Sequence, residues 1–360
     1  MPDAALTIRS LAARAVIAPL ARPLRTASGE IPAAPLLLID IATAQGVTGR
    51  AYLFGYTKAT LRALKALLED IAPLLAGKPC APYDRTVEFE RVFRLLGRQG
   101  LLGMALSGID MALWDALGRA LNQPVAALLG GAPRPVEAYD SFGLIDIKED
   151  ARRLERSLAQ GFRAIKIKLG GGTLAADARV ARDVRGIIGA EVRLMVDYNQ
   201  SLSAPEAIRR LEALTPCDLA WVEEPVPAED LAGHAAVRTA RLAPVQTGEN
   251  WWFAADMAKA IAAGACDHAM PDIMKIGGVT GWLRAAALAE AASLPVSSHI
   301  FVEASAHVLP VTPTALYLEY LDCAGAVLKS PLAVKDGKVT AQGPGLGMDW
   351  DEGAVTKYAA

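Results

Sequence analysis

The chain has 360 residues, of which 52% are hydrophobic and 21% charged, with a formal net charge of −2. This is too apolar and too evenly charged for a disordered chain, and the length suits two domains or one large barrel with an attached piece. Neither nucleic acid nor an anionic membrane is expected as a partner, because both call for a basic surface.

In chain order, the first 130 residues or so mix extended and helical patterns. Leucines and isoleucines over 36–41 predict a strand. Gly29, Pro32 and Pro35 punctuate a loop from about Leu24 to Pro35. Helices are predicted over Thr60–Ala76, with Leu61, Leu64, Leu67, Leu68 and Ile71 on one face, over Val87–Leu96, and from about Gly103 to Leu121. After Gly130, Gly131 and Pro133 the texture changes. Strand-like runs at Val136–Ser141, Ala164–Leu169, Arg193–Asp197, Ala220–Glu223, Val245–Gly248, His268–Pro271, Val296–Ser298 and Leu316–Leu321 alternate with helical stretches such as Ala204–Leu214, Phe253–Ala263 and Gly281–Ala292. Parallel strands need crossovers, so this alternation predicts a parallel barrel. The short last connection favours (β/α)7β over a perfect eightfold unit. An open doubly wound sheet is the rival, and no GxGxxG at a strand–helix turn supports its dinucleotide-binding version.

Two further features bear on environment. Cys80, Cys217, Cys266 and Cys323 lie far apart without a CxxC pair, which favours free thiols over a disulfide framework or a zinc site. The N-terminus carries Asp3 and no basic segment followed by an apolar core, and no apolar run approaches the ~20 residues of a bilayer span. A cytoplasmic protein is expected.

Parallel barrels place catalytic groups at the C-terminal ends of their strands, and here each strand delivers a polar side chain there. Asp197, Glu223 and Glu249 are spaced by two equal steps of 26 residues, about one strand–helix unit. Adjacent strands then bring three carboxylates to one height, where they would repel unless a hard divalent cation such as Mg²⁺ joined them. The equal spacing favours Glu223 over its neighbour Glu224. Lys166 and Lys168 alternate with Ile165, Ile167 and Leu169, so both lysines point into the barrel mouth. A second ammonium and a nearby cation would lower a lysine pKa and suit it to act as a base. Asp272 and His299 end adjacent strands, and a carboxylate can fix an imidazole in one tautomer. His234, His268 and His307 lie on helices or inside a strand and are read as structural.

These strings resemble a known family. Lys166-Ile-Lys168, Val196-Asp-Tyr-Asn-Gln200, Trp221-Val-Glu-Glu-Pro225, Gly248-Glu-Asn250, Met270-Pro-Asp-Ile-Met-Lys-Ile-Gly-Gly278 and Ser297-Ser-His299 resemble the enolase superfamily, mandelate racemase subgroup. Gly108–Gly118 and Gly277–Trp282 look like the racemase that gives the subgroup its name. The resemblance implies a modified TIM barrel beneath an α+β capping domain. The cap would span residues 1–130 with a lid loop near 24–31, the barrel 131–322, and a segment 323–360 would return to the cap. It implies one Mg²⁺ per subunit on Asp197, Glu223 and Glu249. Lys168 would serve one enantiomer, and His299 with Asp272 the other. Lys166 would contact the substrate carboxylate, and Glu319 would donate a hydrogen bond to it. Ser141, Asn199, Leu24 and Ile31 would be substrate contacts. A homo-oligomer, an octamer by analogy, is implied as well.

Two activities fit these residues. One is racemisation of mandelate or a related 2-hydroxy acid; the other is dehydration of an acid sugar, with His299 protonating a leaving hydroxyl. The lid offers apolar Leu24 and Ile31 but also Arg25, Ser28 and Glu30, and Phe142 adds apolar surface near Ser141. A two-lysine relative would need a lysine where Asp272 stands, and Lys275 lies three residues too late. A barrel kept only for binding would be expected to lack a site residue, and none of the expected set is missing.

Overall fold

A computed structural model describes residues 6–360; Asp3 lies outside the described residues. The chain opens with three antiparallel strands in spatial order, β1 (Ile8–Thr26), β2 (Gly29–Thr43) and β3 (Thr48–Phe54). The helices α1 (Lys58–Leu75), α2 (Pro82–Val92), α3 (Leu101–Ala120) and the single turn α4 (Val125–Leu128) complete this part. Thr57 caps α1 by accepting from the Ala59 amide, and Leu61, Leu64, Leu68, Ile71 and Leu75 bury one stripe. Pro82 starts α2 five residues before the predicted Val87, since a proline at the first helical position gives up no needed donor.

The predicted loop from Leu24 to Pro35 is instead the tip of a hairpin. Leu24 pairs with Ile31, Arg25 with Glu30 and Thr26 with Gly29. Thr26 donates its hydroxyl to the Gly29 carbonyl at 3.1 Å and accepts from the Ser28 amide at 3.1 Å, closing the turn. The prolines mislead because the register jumps from Pro19–Ala33 to Leu24–Ile31, so residues 20–23 bulge opposite Pro32, where no ladder donor is required.

The barrel follows as β4 (Val136–Leu144), α5 (Ile147–Ala159), β5 (Ala164–Lys168), α6 (Leu174–Ile188), β6 (Arg193–Asp197), α7 (Ala204–Leu214), β7 (Leu219–Glu223), α8 (Leu231–Thr239), β8 (Val245–Thr247), α9 (Phe253–Ala262), β9 (His268–Ala269), α10 (Gly278–Ala291), α11 (Val302–Val308) and β10 (Leu318–Tyr320). The strands run parallel in the order β10-β4-β5-β6-β7-β8-β9. The segment predicted as a strand at Val296–Ser298 makes isolated bridges rather than a continuous ladder. Val296 bridges both Ala269 and Ala315, and the Ser298 amide donates to Tyr317 at 3.0 Å. These contacts close the ring, giving eight strand positions and seven crossovers, a (β/α)7β barrel. Strand alternation decides what faces where. Ile165, Ile167, Val196 and Val222 pack outward in one apolar cluster, whereas Ala164, Met195 and Trp221 fill the barrel with Tyr139.

Cap and barrel are joined by buried polar contacts. Asp110 on α3 accepts from the Thr280 amide at 2.9 Å and its hydroxyl at 2.5 Å, tying the cap to α10. After β10 the chain leaves the barrel. β11 (Lys338–Val339) pairs with the foot of β4, and α12 (Glu352–Lys357) ends near the cap. On the way, the Leu346 amide donates to Asp115 at 2.6 Å and the Trp350 indole to Asp40 at 2.9 Å. The last residues then run along β1, where the Ile17 amide donates to Tyr358 at 2.8 Å and the Ala360 amide to Ala15 at 3.0 Å. Among the described residues α3 alone is long and apolar enough to match a membrane span, and 83% of that stretch is buried in protein. It is the central helix of the cap, packed on β3 and α10. All four cysteines are free and buried.

Candidate active site

The ladder sets the geometry at the barrel mouth. Lys168 is register partner to Asp197, and Asp197 to Glu223, so three adjacent strands deliver their last side chains at one level. Glu249 arrives two residues beyond β8, where the chain turns at Gly248 with φ +135°. Carboxylate oxygens of Asp197, Glu223 and Glu249 lie within 4.8 Å of one another, and all three residues are buried. Their outer oxygens are held. Trp221 and Gln246 donate to Glu223 Oε2 at 3.3 and 3.0 Å, and the Asn199 amide and side chain donate to Asp197 at 2.7 and 3.0 Å. Burial, against the pull of Lys166 and helped by the neighbouring carboxylates, pushes Glu223 up to about 8. Such a cluster is short of positive charge. An all-oxygen donor set, oriented from behind, fits a hard divalent ion. Glu224 does not join the three. Its Oε1 accepts from the Thr247 hydroxyl at 2.7 Å and the Gly248 amide at 2.8 Å.

Both lysines point inward. Lys166 pairs with Glu223 and, at 2.7 Å, with Glu319; Lys168 pairs with Asp197. In the ion-free site the direction for both lysines is upward. Burial disfavours both ammonium groups, yet Glu223 and Glu319 outweigh it for Lys166 and Asp197 for Lys168. The expected lowering presupposes the cation beside them and so concerns the ion-bound site. Glu319 stands against Lys166 in the ion-free site. Its burial is outweighed by Lys166 and His299, which hold it down to about 2. It accepts from the Ser141 hydroxyl at 2.7 Å and the Ile300 amide at 2.9 Å.

Opposite the lysines, His299 Nδ1 meets Asp272 Oδ2 at 2.6 Å, and Nε2 faces Glu249 Oε2 at 3.3 Å. Burial lowers the imidazole's affinity for a proton, but Glu249 and Asp272 together raise it to about 9. Asp272 is fixed in turn by the Met274 amide at 2.6 Å. The other histidines stay apart. His234 is buried on α8, His268 packs on Trp221, and burial brings His307 down to about 4.

A cavity of about 810 Å³ opens over this centre. Lys168, His299, Glu249, Glu319, Ser141 and Asn199 line it, with Leu24 and Ile31 from the hairpin above. Lys166, Asp197, Glu223 and Asp272 lie beneath that lining. The hairpin approaches closely at Gly143, where a Cβ would stand 2.6 Å from the Arg25 carbonyl oxygen. Phe142 does not add apolar surface to the cavity. Alternation turns it outward from Ser141 into the packing under α5, with the Arg153 guanidinium 3.9 Å above its ring. Sequence reasoning assigns no site role to Tyr56, Asn250 or Lys275, which also line the cavity. Asn250 directly follows a predicted ligand and could have been found that way. Tyr56 sits at φ +57° in the turn after β3, with no sequence signal to mark it.

A parallel barrel that gathers three carboxylates, two lysines and a His–Asp pair beneath an α+β cap defines a metal-dependent enzyme. Residues 8–130 match the mandelate racemase / muconate lactonizing enzyme N-terminal domain, and residues 149–354 the enolase C-terminal domain-like family. The chain belongs to the enolase superfamily, in its mandelate racemase/muconate lactonizing enzyme group, with that superfamily's Mg²⁺-dependent chemistry. A crystal structure of a Bradyrhizobium enolase complexed with magnesium and mandelic acid is 56% identical, with a TM-score of 0.97 over 99% of each chain. The 3,6-anhydro-alpha-L-galactonate cycloisomerase of Streptomyces coelicolor is 32% identical over 88% of this chain and 89% of that protein. The L-talarate/galactarate dehydratase of Salmonella typhimurium is 29% identical over 89% of this chain and 81% of that protein.

Proposed function

We propose that the protein racemises mandelate or a related 2-hydroxy acid by removing and returning the proton next to the carboxylate. The observation that carries this reading is that Lys168 and His299, two side chains able to carry a proton, line one cavity. In this reading the cap comprises residues 1–130, the barrel 131–322, and residues 323–360 the return to the cap. Asp197, Glu223 and Glu249 hold the ion. When bound, Mg²⁺ supplies positive charge that compensates the second negative charge on the substrate's carboxylate as its α-proton leaves. A Lys or His base working beside Mg²⁺ is usual in this superfamily.

Lys166 orients the substrate carboxylate and adds a second positive charge there. Glu319, an acceptor in the structure, becomes a donor to the substrate only after Lys166 turns from it to the substrate and a proton is taken up. Lys168 carries the proton for one enantiomer. Asp272 holds His299 Nδ1, which leaves Nε2 to exchange a proton on the other face. Ser141 and Asn199 contact the polar end of the substrate, and Leu24 and Ile31 cover its side group.

A second reading, dehydration of an acid sugar, is favoured by one observation. The same cavity extends past Arg22, Arg153 and Gln160, donors that an aryl group would not use. Proton NMR in D₂O with Mg²⁺ and separate (R)- and (S)-mandelate separates the two. Loss of the α-proton signal with growth of the opposite enantiomer supports the racemase. No exchange with either enantiomer overturns the mandelate reading, and formation of 2-keto products from sugar acids would then establish the dehydratase.

A further inference from the structure

One buried charge in the cavity has no part in the reaction just described. Lys275 is only 7% exposed, yet among the described residues no carboxylate lies within ion-pair distance of it. Its Nζ donates to Asn250 Oδ1 at 2.6 Å and stands 4.9 Å from the centre of the Tyr56 ring. Burying an ammonium without a counter-ion is costly, so its placement calls for a reason beyond packing.

The reason lies in the next contact. Asn250 Nδ2 faces Glu249 Oε1 at 3.4 Å, while His299 Nε2 faces the other oxygen, Oε2. An ammonium can only donate and an amide oxygen can only accept. With Oδ1 taken by Lys275, the Asn250 amide has one orientation left, NH₂ toward Glu249. A rotated amide would instead aim its oxygen at the carboxylate and repel it. The Tyr56 ring covers the ammonium from the cap side and favours it through the negative face of the ring.

We propose that Lys275 is a positioning residue for the metal site, acting through Asn250 on Glu249. This rests on Glu249 being a metal ligand, part of the reading above, but not on the identity of the substrate. Loss of an outer-shell partner typically weakens metal binding by about 10–100-fold.

The test is Mg²⁺ binding by isothermal titration calorimetry on the purified full chain, without substrate, with circular dichroism as the check on folding. Lys275→Met is expected to weaken Mg²⁺ binding by about ten-fold or more. Lys275→Arg, which can still donate to Asn250 and stack on Tyr56, is expected to restore most of it. Asn250→Leu should reproduce the Lys275→Met loss, and the double variant should be no worse than either single one, because both cut the same chain of contacts. Wild-type Mg²⁺ affinity in folded Lys275→Met overturns the proposal, as do fully additive losses in the double variant. Should Lys275→Met fail to fold, wild-type affinity in Asn250→Leu overturns it equally. If Glu249→Gln binds Mg²⁺ as tightly as wild type, the ligand assignment fails instead, which keeps the two failures apart.

Discussion

The floor and the roof of the cavity are built on different principles. The floor is a ladder. Lys168, Asp197 and Glu223 are register partners on adjacent parallel strands, and each charge faces an opposite one. The roof is the end of a two-stranded hairpin. Leu24 and Ile31 are half-buried, Ser28 and Glu30 are exposed, and Arg25 meets Glu149 only at 3.7 Å across open solvent. Such an exposed pair contributes little. Moving a floor residue shifts strands that support the whole barrel, whereas the hairpin tip can change with small consequences for the fold. In the proposed reading, bond chemistry is placed on the paired strands of the floor and the choice of side group at the exposed hairpin.

Four measurements put this contrast at risk. The largest effect belongs to the floor's carboxylates. Chelation of the metal, or Glu223→Gln, is expected to abolish turnover and to weaken Mg²⁺ binding beyond the roughly 10–100-fold typical of an outer-shell change. Turnover that survives chelation would remove the metal from the reaction.

Next come the proton carriers. Lys168→Ala and His299→Asn should each lower racemisation by about 10²–10⁴-fold, the usual weight of a positioned acid or base. Each should spare deuterium exchange of opposite enantiomers, read by NMR. Exchange of both enantiomers in either variant would contradict a two-sided site.

A smaller effect is expected at the roof. Ile31→Ser should cost about ten-fold in kcat/KM for an aryl substrate, in line with a lost apolar contact, and leave Mg²⁺ binding unchanged. A matching loss of metal binding would mean that roof and floor are not separable.

The smallest signal is a titration. In chelated protein, NMR of His299 should show a midpoint near 9, and Asp272→Asn should lower it. Because that value lies above the ordinary 6.5, the stability His299 contributes is complete below pH 6.5 and is lost as pH rises through about 9. His307 should titrate far lower, near 4. A His299 midpoint at or below 6.5 would show that Asp272 and Glu249 do not hold its proton.

The barrel is legible in the sequence because its signals are periodic. Ile165 and Ile167 against Lys166 and Lys168 give both the strand and its inner face, and the 26-residue steps between acids give its repeat. What the sequence conceals depends on partners distant in the chain. The hairpin at 24–31 looks like a loop because a bulge over residues 20–23 absorbs the prolines, and only the register with β2 shows this. The cap strands β1 and β3 carry no strict alternation, since β3 is buried on both faces over Ala51–Phe54. The ion pairs of Lys168 with Asp197 and of Glu319 with Lys166 escape sequence reasoning because spacing does not give those distances. Lys275 is set aside as a base because it lies three residues after Asp272, and its contact with Asn250, 25 residues away, is not visible in that spacing.

The contact of residues 358–360 with β1 has a consequence for how the chain matures. β1 is the edge of the cap sheet, and an uncovered edge invites pairing with other chains. The cap's strands leave the ribosome well before the segment that shields their edge. At about 5–20 residues per second, the roughly 330 residues between β1 and that segment leave the edge bare for tens of seconds. Chaperone engagement with the nascent cap should be greatest in that interval.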